Sequence, residues 1–369
     1  MTAARPSLLS MQPDDLVAHL ASQGATIDLR SARRVLSCVL ADGSETLTPR
    51  RPVKKALLAL IDETTARSLP DVVEEVTDPS DGFTKFLLRA DDGALFEAVR
   101  IPLEKPGTYS VCISSQVGCA MGCVFCATGR LGLTRNLSVA EMVGSVLAVR
   151  ARTTTGRVRG VVFMGQGEPF HNYDAVLKAA DVLSDPSGAR IDKDAITIST
   201  VGLVPQLRRY TAERRPYKLI VSLTSADADR RRALLPVSGR QSLDDLVDAI
   251  GAHARATEER VTIAWVLMGG VNDGDDELRA LRARFADVPV RVNLIDVNDA
   301  RDEAGEGFRR ATDDERNRFV DGLAASGLPF IRRYSGGRAR HAACGMLAAT
   351  RASNGAVSPS ATLTAISRR

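Results

Sequence analysis

From Tyr109 onward the chain repeats one pattern: a short β-rich run, then a longer stretch whose apolar residues recur at helical spacing. The runs are Tyr109 to Val117, Gly160 to Met164, Ala195 to Thr200, Lys218 to Thr224, Arg260 to Leu267 and Val290 to Val297. Such alternation makes parallel βα units, because strands pair in parallel only through a long crossover, usually a helix. Three of the intervening stretches open on a residue able to cap a helix, with an acid three positions later. They are Ser138 with Glu141, Ser242 with Asp245, and Thr312 with Glu315. The expected class is α/β, a partial or complete β/α barrel of about six units, with functional groups gathered at the C-terminal strand ends.

The sequence ahead of this series reads differently. Leu16, Leu20, Val35, Leu36, Leu57, Leu60 and Ile61 recur at helical spacing without a strand pattern, so residues 1–80 are expected to form a small helical accessory domain. FTKFLLRA and LFEAVRIP flank an Asp-Asp-Gly turn, predicting a hairpin within residues 81–104 that bridges to a core over 105–348. Residues 349–369 are small and polar with no core-forming period, and are expected to be disordered. No apolar run approaches the roughly 18 residues that span a bilayer, and no secretory signal opens the chain. A cytoplasmic protein without membrane association is expected.

Six cysteines in 369 residues make no disulfide scaffold, yet three of them crowd into GCAMGCVFCATG. Cys119, Cys123 and Cys126 have a Cys-x3-Cys-x2-Cys spacing suited to metal thiolates. Iron-sulfur clusters normally take four cysteines, so a local set of three predicts one 4Fe-4S cluster with an iron left open. S-adenosylmethionine can chelate that iron through its amino and carboxylate groups, where one electron would cleave the sulfonium to a 5'-deoxyadenosyl radical. The plain alternative is a zinc knuckle, which usually needs a fourth local ligand that is missing here. Phe125 is placed to pack on the cofactor, or simply in a core.

Further on, FMGQGEP follows an apolar strand with a glycine-rich turn. Gly165 and Gly167 would let backbone approach a ligand, and Glu168 could accept hydrogen bonds from an ammonium group. Net charge is only +4, but arginines cluster at Arg33-Arg34, Arg50-Arg51, Arg208-Arg209, Arg230 to Arg232 and Arg332-Arg333. Each cluster could follow a phosphate backbone or be an ordinary solvated face.

With the triad, FMGQGEP and RHAACGML in that order, the sequence resembles the RlmN/Cfr family of radical S-adenosylmethionine RNA methylases from about Asp81 to Leu347. A weaker likeness reaches the N-terminal module, which in that family helps to engage RNA. The resemblance implies methylation of an adenosine ring carbon in rRNA, tRNA or both, with two S-adenosylmethionine molecules per turnover. It implies Cys344 as the methyl-carrying S-methylcysteine, Cys112 as the resolving thiol in a transient disulfide with it, and Glu97 as proton acceptor. It further implies S-adenosylmethionine contacts at Gly167, Glu168, Ser199, Ser222, Leu223, Thr224 and Asn298, and an electron donor such as flavodoxin or ferredoxin. Without the resemblance, Glu97 reads as an exposed strand carboxylate, Cys344 as a small buried hydrophobe, and Ser199 and Ser222 as turn residues. Cys38 fits that plain reading.

The sequence also departs from the family. Thr224 replaces a usual histidine, Asp296 and Asp299 replace prolines, and the usual acidic Gly-Asp-Asp loop reads Gly336-Gly337-Arg338-Ala339-Arg340-His341. Arg338 and Arg340 could contact phosphate or stack on a base, implying a different RNA or adenine carbon. Two other functions stay open: methylation of a small metabolite or natural-product base, and a non-catalytic iron-sulfur or zinc RNA-binding protein. The oligomeric state is not indicated.

Overall fold

A computed structural model describes residues 5–348 except 42, 45, 238–240, 300, 303–304 and 334–335. The expected disordered tail lies outside the described residues. The N-terminal part is helical as anticipated, with α1 (Pro13–Ser22), α2 (Leu29–Leu36) running into a π turn (Ser37–Ala41), and α3 (Lys55–Thr64). It does not stand apart: Leu8, Leu9, Leu16, Leu20 and Val35 join the same apolar core as the main sheet.

Three antiparallel strands follow, β1 (Asp71–Thr77), β2 (Thr84–Arg89) and β3 (Leu95–Pro102), and the last pairs antiparallel with β4 (Thr108–Ile113). The helical reading of residues 14–75 missed β1. It is an edge strand whose residues are exposed or half-buried, so no clean alternation marks it. The predicted strand Tyr109 to Val117 is broken. At Ser114 the chain leaves β4, the amides of Ser115 and Gln116 both donate to Gln166 O (2.8 and 3.2 Å), and a separate β5 (Gln116–Gly118) begins. It pairs with β6 (Leu133–Asn136) to close a loop that carries the cysteine triad and the short α4 (Ala127–Leu131).

The rest is the expected alternation: α5 (Val139–Ala151), β7 (Arg157–Phe163), α6 (Tyr173–Ser184), β8 (Ile196–Thr200), α7 (Val204–Ala212), β9 (Lys218–Ser222), α8 (Ala228–Leu234), α9 (Leu243–Thr257), β10 (Val261–Leu267), α10 (Asp275–Phe285), β11 (Val290–Asp296), α11 (Asp313–Ser326) and β12 (Phe330–Arg332). Strands run β1-β2-β3-β4-β7-β8-β9-β10-β11-β12 in one sheet, parallel from β4 to β12. The described pairings end at β12, so the β/α barrel is partial.

Local chemistry sets these boundaries. Ser138 and Glu141 cap α5 reciprocally, as Thr312 and Glu315 cap α11. The third expected pair differs: Ser242 accepts the Asp245 amide, but Asp245 turns back to the Ser242 hydroxyl rather than to its backbone. β10 is buried on both faces, as a continuous VTIAWVL run should be when helices cover the sheet. All six βα transitions after β4 therefore deliver loops to one end of the sheet, and that end carries the site.

Candidate active site

The cysteine triad lies between β5 and α4. Cys119 and Cys123 are buried, Cys126 is half-buried, and Met121, Leu234, Leu235, Met268 and Val297 surround them with apolar groups. Phe125 packs on the same cluster, half-buried. Burial pushes the Cys119 thiol up to about 12, and burial together with the charges of Cys126 and Cys119 raises Cys123 well above the ordinary thiol range. Thiolates so placed need a cationic partner, and iron provides one; the soft donor set fits a cluster. Among the described residues no three His, Cys, Asp or Glu side chains converge as a site for a single metal ion would require. A cuboidal cluster takes each thiolate at a different iron.

Beside the triad the strand ends form a polar cradle. Glu168, after β7, is 2% exposed and accepts from Phe170 N (2.9 Å) and Val201 N (2.8 Å). Burial still pushes its carboxyl up to about 7, despite hydrogen bonds from Thr200, Val201 and Phe170. The glycines flanking Gln166 also leave room for neighbouring segments of the protein. A Cβ on Gly165 would meet the Ile113–Ser114 backbone at 2.7 Å, and one on Gly167 (φ +100°) would meet Gln116 Cβ at 2.6 Å. Ser199 and Ser222 are half-buried at the ends of β8 and β9, with Leu223 and Thr224 buried just beyond. Thr224 has φ +63°, in the left-handed region that β-branched residues avoid. Its hydroxyl, both amide atoms of Gln166 and the Arg231 Nε are buried without hydrogen-bond partners. Orphaned polar atoms at converging strand ends fit a bound polar cofactor such as S-adenosylmethionine. Asn298, after β11, is buried with its Oδ1 engaged by Arg310.

A second cavity brings Cys112 and Cys344 together from the two ends of the core. Val99, Cys112, Met164, Arg333, Ala342 and Cys344 line it with Leu347. Cys112 is buried in β4, opposite Val99 of β3 and Val162 of β7. Burial raises its thiol, the nearby Cys344 adds to the effect, and Arg333 opposes it. Cys344 is exposed rather than buried, and all six cysteines are free thiols, so the expected transient disulfide is not formed here. The Cys344 loop is tied at both ends. Gly337 N donates to Asp81 Oδ2 (2.7 Å) in the β1–β2 turn, Ala127 N donates to Gly345 O (2.7 Å), and Thr128 Oγ1 donates to Leu347 O (2.6 Å). The last two bonds fasten it to α4, directly after the triad.

Glu97 is not the exposed strand carboxylate that a bland reading gives. It is 1% exposed, pairs with Lys85 Nζ at 3.3 Å, and shares a face of β3 with the cavity-lining Val99. Cys38 is buried and far from this chemistry, its Sγ meeting Thr46 O.

Two of the arginine clusters are engaged in ion pairs. Arg209 pairs with Asp174 and Glu213, Arg230 with Asp276 and Glu277, and Arg232 with Asp229. Arg338 lies 3.6 Å from Asp302, while Arg340 and His341 are exposed beside the Cys344 loop. Sequence reading missed several supports. Gln116 accepts the Glu168 amide, Arg301 bonds Asp299 and the Val124 carbonyl of the triad loop, and Asn272 holds Thr224 O. No local signal in the sequence pairs each with its distant partner.

The geometry so far defines a radical S-adenosylmethionine enzyme, and the sequence profile of the radical SAM superfamily matches residues 113–281. A probable RNA methyltransferase of Anaeromyxobacter sp. (strain Fw109-5) is 49% identical over 328 residues, covering 88% of this chain and 94% of that protein. The dual-specificity RNA methyltransferase RlmN of Syntrophotalea carbinolica is 39% identical, covering 76% and 73%. A crystal structure of a radical SAM methyltransferase from Sphaerobacter thermophilus superposes with a TM-score of 0.84 at 34% identity, over 94% of this chain and all of that one. The chain belongs to the radical S-adenosylmethionine RNA methyltransferase family that includes RlmN. Enzymes of this kind work with a 4Fe-4S cluster and S-adenosylmethionine. Among the described residues no helix is long and apolar enough to cross a membrane.

Proposed function

We propose that this enzyme methylates a ring carbon of adenosine in ribosomal RNA, transfer RNA or both, through a methyl group carried on Cys344. The observation that carries this reading is the shared cavity of Cys112 and Cys344, fastened to the triad loop through Gly345 and Leu347. A merely structural Cys344 has no reason to be exposed there.

Cys119, Cys123 and Cys126 hold the cluster, and Glu168, Ser199, Ser222, Leu223, Thr224, Asn298 and Gly167 surround S-adenosylmethionine. Together the bound groups supply an electrophilic methyl and a hydrogen-abstracting radical, two S-adenosylmethionine molecules being used per turnover. Cys344, exposed, takes the methyl on its sulfur. Once that carbon is joined to the adenine ring, the odd electron of the adduct must pass to an acceptor, for which the cluster would serve, and Glu97, paired with Lys85 Nζ at 3.3 Å, takes the ring proton. Cys112, as its thiolate, then attacks the Cys344 sulfur; the carbon released from that sulfur takes up a proton to complete the methyl, and the methylated base leaves as the two sulfurs become a disulfide. An external reductant would reopen it, and a flavodoxin or ferredoxin would be the source of single electrons for the cluster. Residues 1–80 serve as an accessory domain that helps to engage RNA, next to the exposed Arg340.

Nucleoside mass spectrometry of total RNA from cells with and without the protein tests this. A methyladenosine lost with the protein is expected. Identical nucleoside profiles would remove RNA adenosine as substrate.

A further inference from the structure

Arg231 is a buried cation that the reaction outlined above does not use. It sits on α8, 4% exposed, between two arginines that behave as surface residues do and pair with carboxylates. No carboxylate among the described residues pairs with Arg231. Its Nη2 donates to Val201 O (2.7 Å) and Ser222 O (3.4 Å), and its Nε has no partner. Desolvation pushes it down to about 10, which leaves it charged at neutral pH. A buried guanidinium satisfied only by carbonyl dipoles lacks a counter-charge.

The triad is a source of negative charge beside α8. α8 abuts its loop: Val124 N donates to Leu234 O at 3.2 Å, and Leu234 packs in one apolar cluster with Cys119 and Cys123. Arg231 and Leu234 are three residues apart and so share a face of α8. Reducing a cluster held by three thiolates adds one more negative charge beside a fixed cation. That cation therefore favours the reduced state, since net charge and nearby dipoles set cluster potentials.

We propose that Arg231 is the resident counter-cation of the cluster and raises its reduction potential, tuning when the enzyme accepts its electron. The inference rests on the triad being the cluster's ligands. Two competing roles for the same guanidinium are an anchor for the carbonyl ends of β8 and β9 and a partner for the carboxylate of S-adenosylmethionine.

The test is a spectroelectrochemical titration of anaerobically reconstituted full-length enzyme, with iron counted and S-adenosylmethionine affinity measured on each sample. Arg231→Gln should load iron and lower the potential, giving about tenfold less reduced cluster at a fixed poise, about 59 mV for one electron. Arg231→Lys, which keeps the charge but not the planar fork, should stay near the parent. An unchanged potential in Arg231→Gln overturns the proposal, and doubly so if S-adenosylmethionine affinity collapses instead, which assigns the guanidinium to the carboxylate. Should Arg231→Gln fail to hold iron, Arg231→Lys decides: iron retained at the parent potential supports the counter-cation, and iron lost shows a structural strut. Absence of iron from the parent enzyme would instead sink the ligand assignment itself.

Discussion

Two sets of thiols lie at the same end of the sheet and are built in opposite ways. Cys119, Cys123 and Cys126 crowd into one short loop, shielded by apolar side chains and braced by Arg301 from beyond β11. Cys112 and Cys344 come from a strand and a distant loop, one buried and one exposed, in a cavity of their own. A site that holds a fixed group profits from burial on every side. A site whose sulfur must be methylated, alkylated and then attacked needs one partner accessible and the other protected. The contrast predicts that the two sets separate experimentally.

The largest effects should divide along that line. Cys123→Ala is expected to lose cluster iron and all activity, while Cys344→Ala keeps the cluster's visible absorption and iron content but forms no methylated product. Iron lost from Cys344→Ala, or product formed by it, would erase the distinction. Within the cavity, Cys112→Ala should stop after the carbon bond forms and leave an RNA–protein adduct that survives denaturing gel electrophoresis. Free product at the parental rate, with no adduct, would mean that another group resolves the intermediate.

Glu168 sharpens the comparison from the cradle side. Its carboxyl is raised from 4.5 to about 7 by burial, so between those values the unfolded chain releases the proton while the folded protein keeps it. Stability of the unliganded protein should therefore fall as pH rises through that window, by about 3 kcal/mol in all, and level off above it. Glu168→Gln should flatten that slope in urea unfolding and weaken S-adenosylmethionine binding, because a bound ammonium group is what the ionised carboxylate lacks. Parallel pH curves for the two proteins would show that the carboxylate carries no such strain.

What could be read from the sequence was what neighbouring residues encode. The triad spacing, the strand ahead of Glu168 and the caps at Ser138 and Thr312 are local signals, and the parallel series followed from their alternation. Interactions between distant segments were hidden. Nothing near Gln116 marks it as the acceptor for the Glu168 amide, and nothing in the Arg230 to Arg232 run distinguishes its buried member from its two paired neighbours. Gly165 and Gly167 were conspicuous, but one requirement on them was hidden. Their missing Cβ atoms make room for β4 and Gln116, a requirement visible only once the sheet order is known.

Thr224 and Asn272 show the same limit in energetic form. Thr224 takes its left-handed φ of +63° with a buried, unpartnered hydroxyl, a conformation costing about 1–3 kcal/mol that the surroundings must enforce. Asn272 enforces it: fully buried, it accepts Met268 N (2.7 Å) and donates to Thr224 O (2.6 Å) and Val266 O (2.8 Å). Asn272→Ala strands three backbone groups and should cost about 2–3 kcal/mol in urea unfolding, with weaker S-adenosylmethionine binding as the β9 end relaxes. Thr224→Gly gives up a small buried side chain but adopts positive φ freely, so its cost should stay within about 1 kcal/mol. If Thr224→Gly proves the more damaging of the two, the strain is not what Asn272 holds, and the threonine side chain is itself a packing element of the cradle.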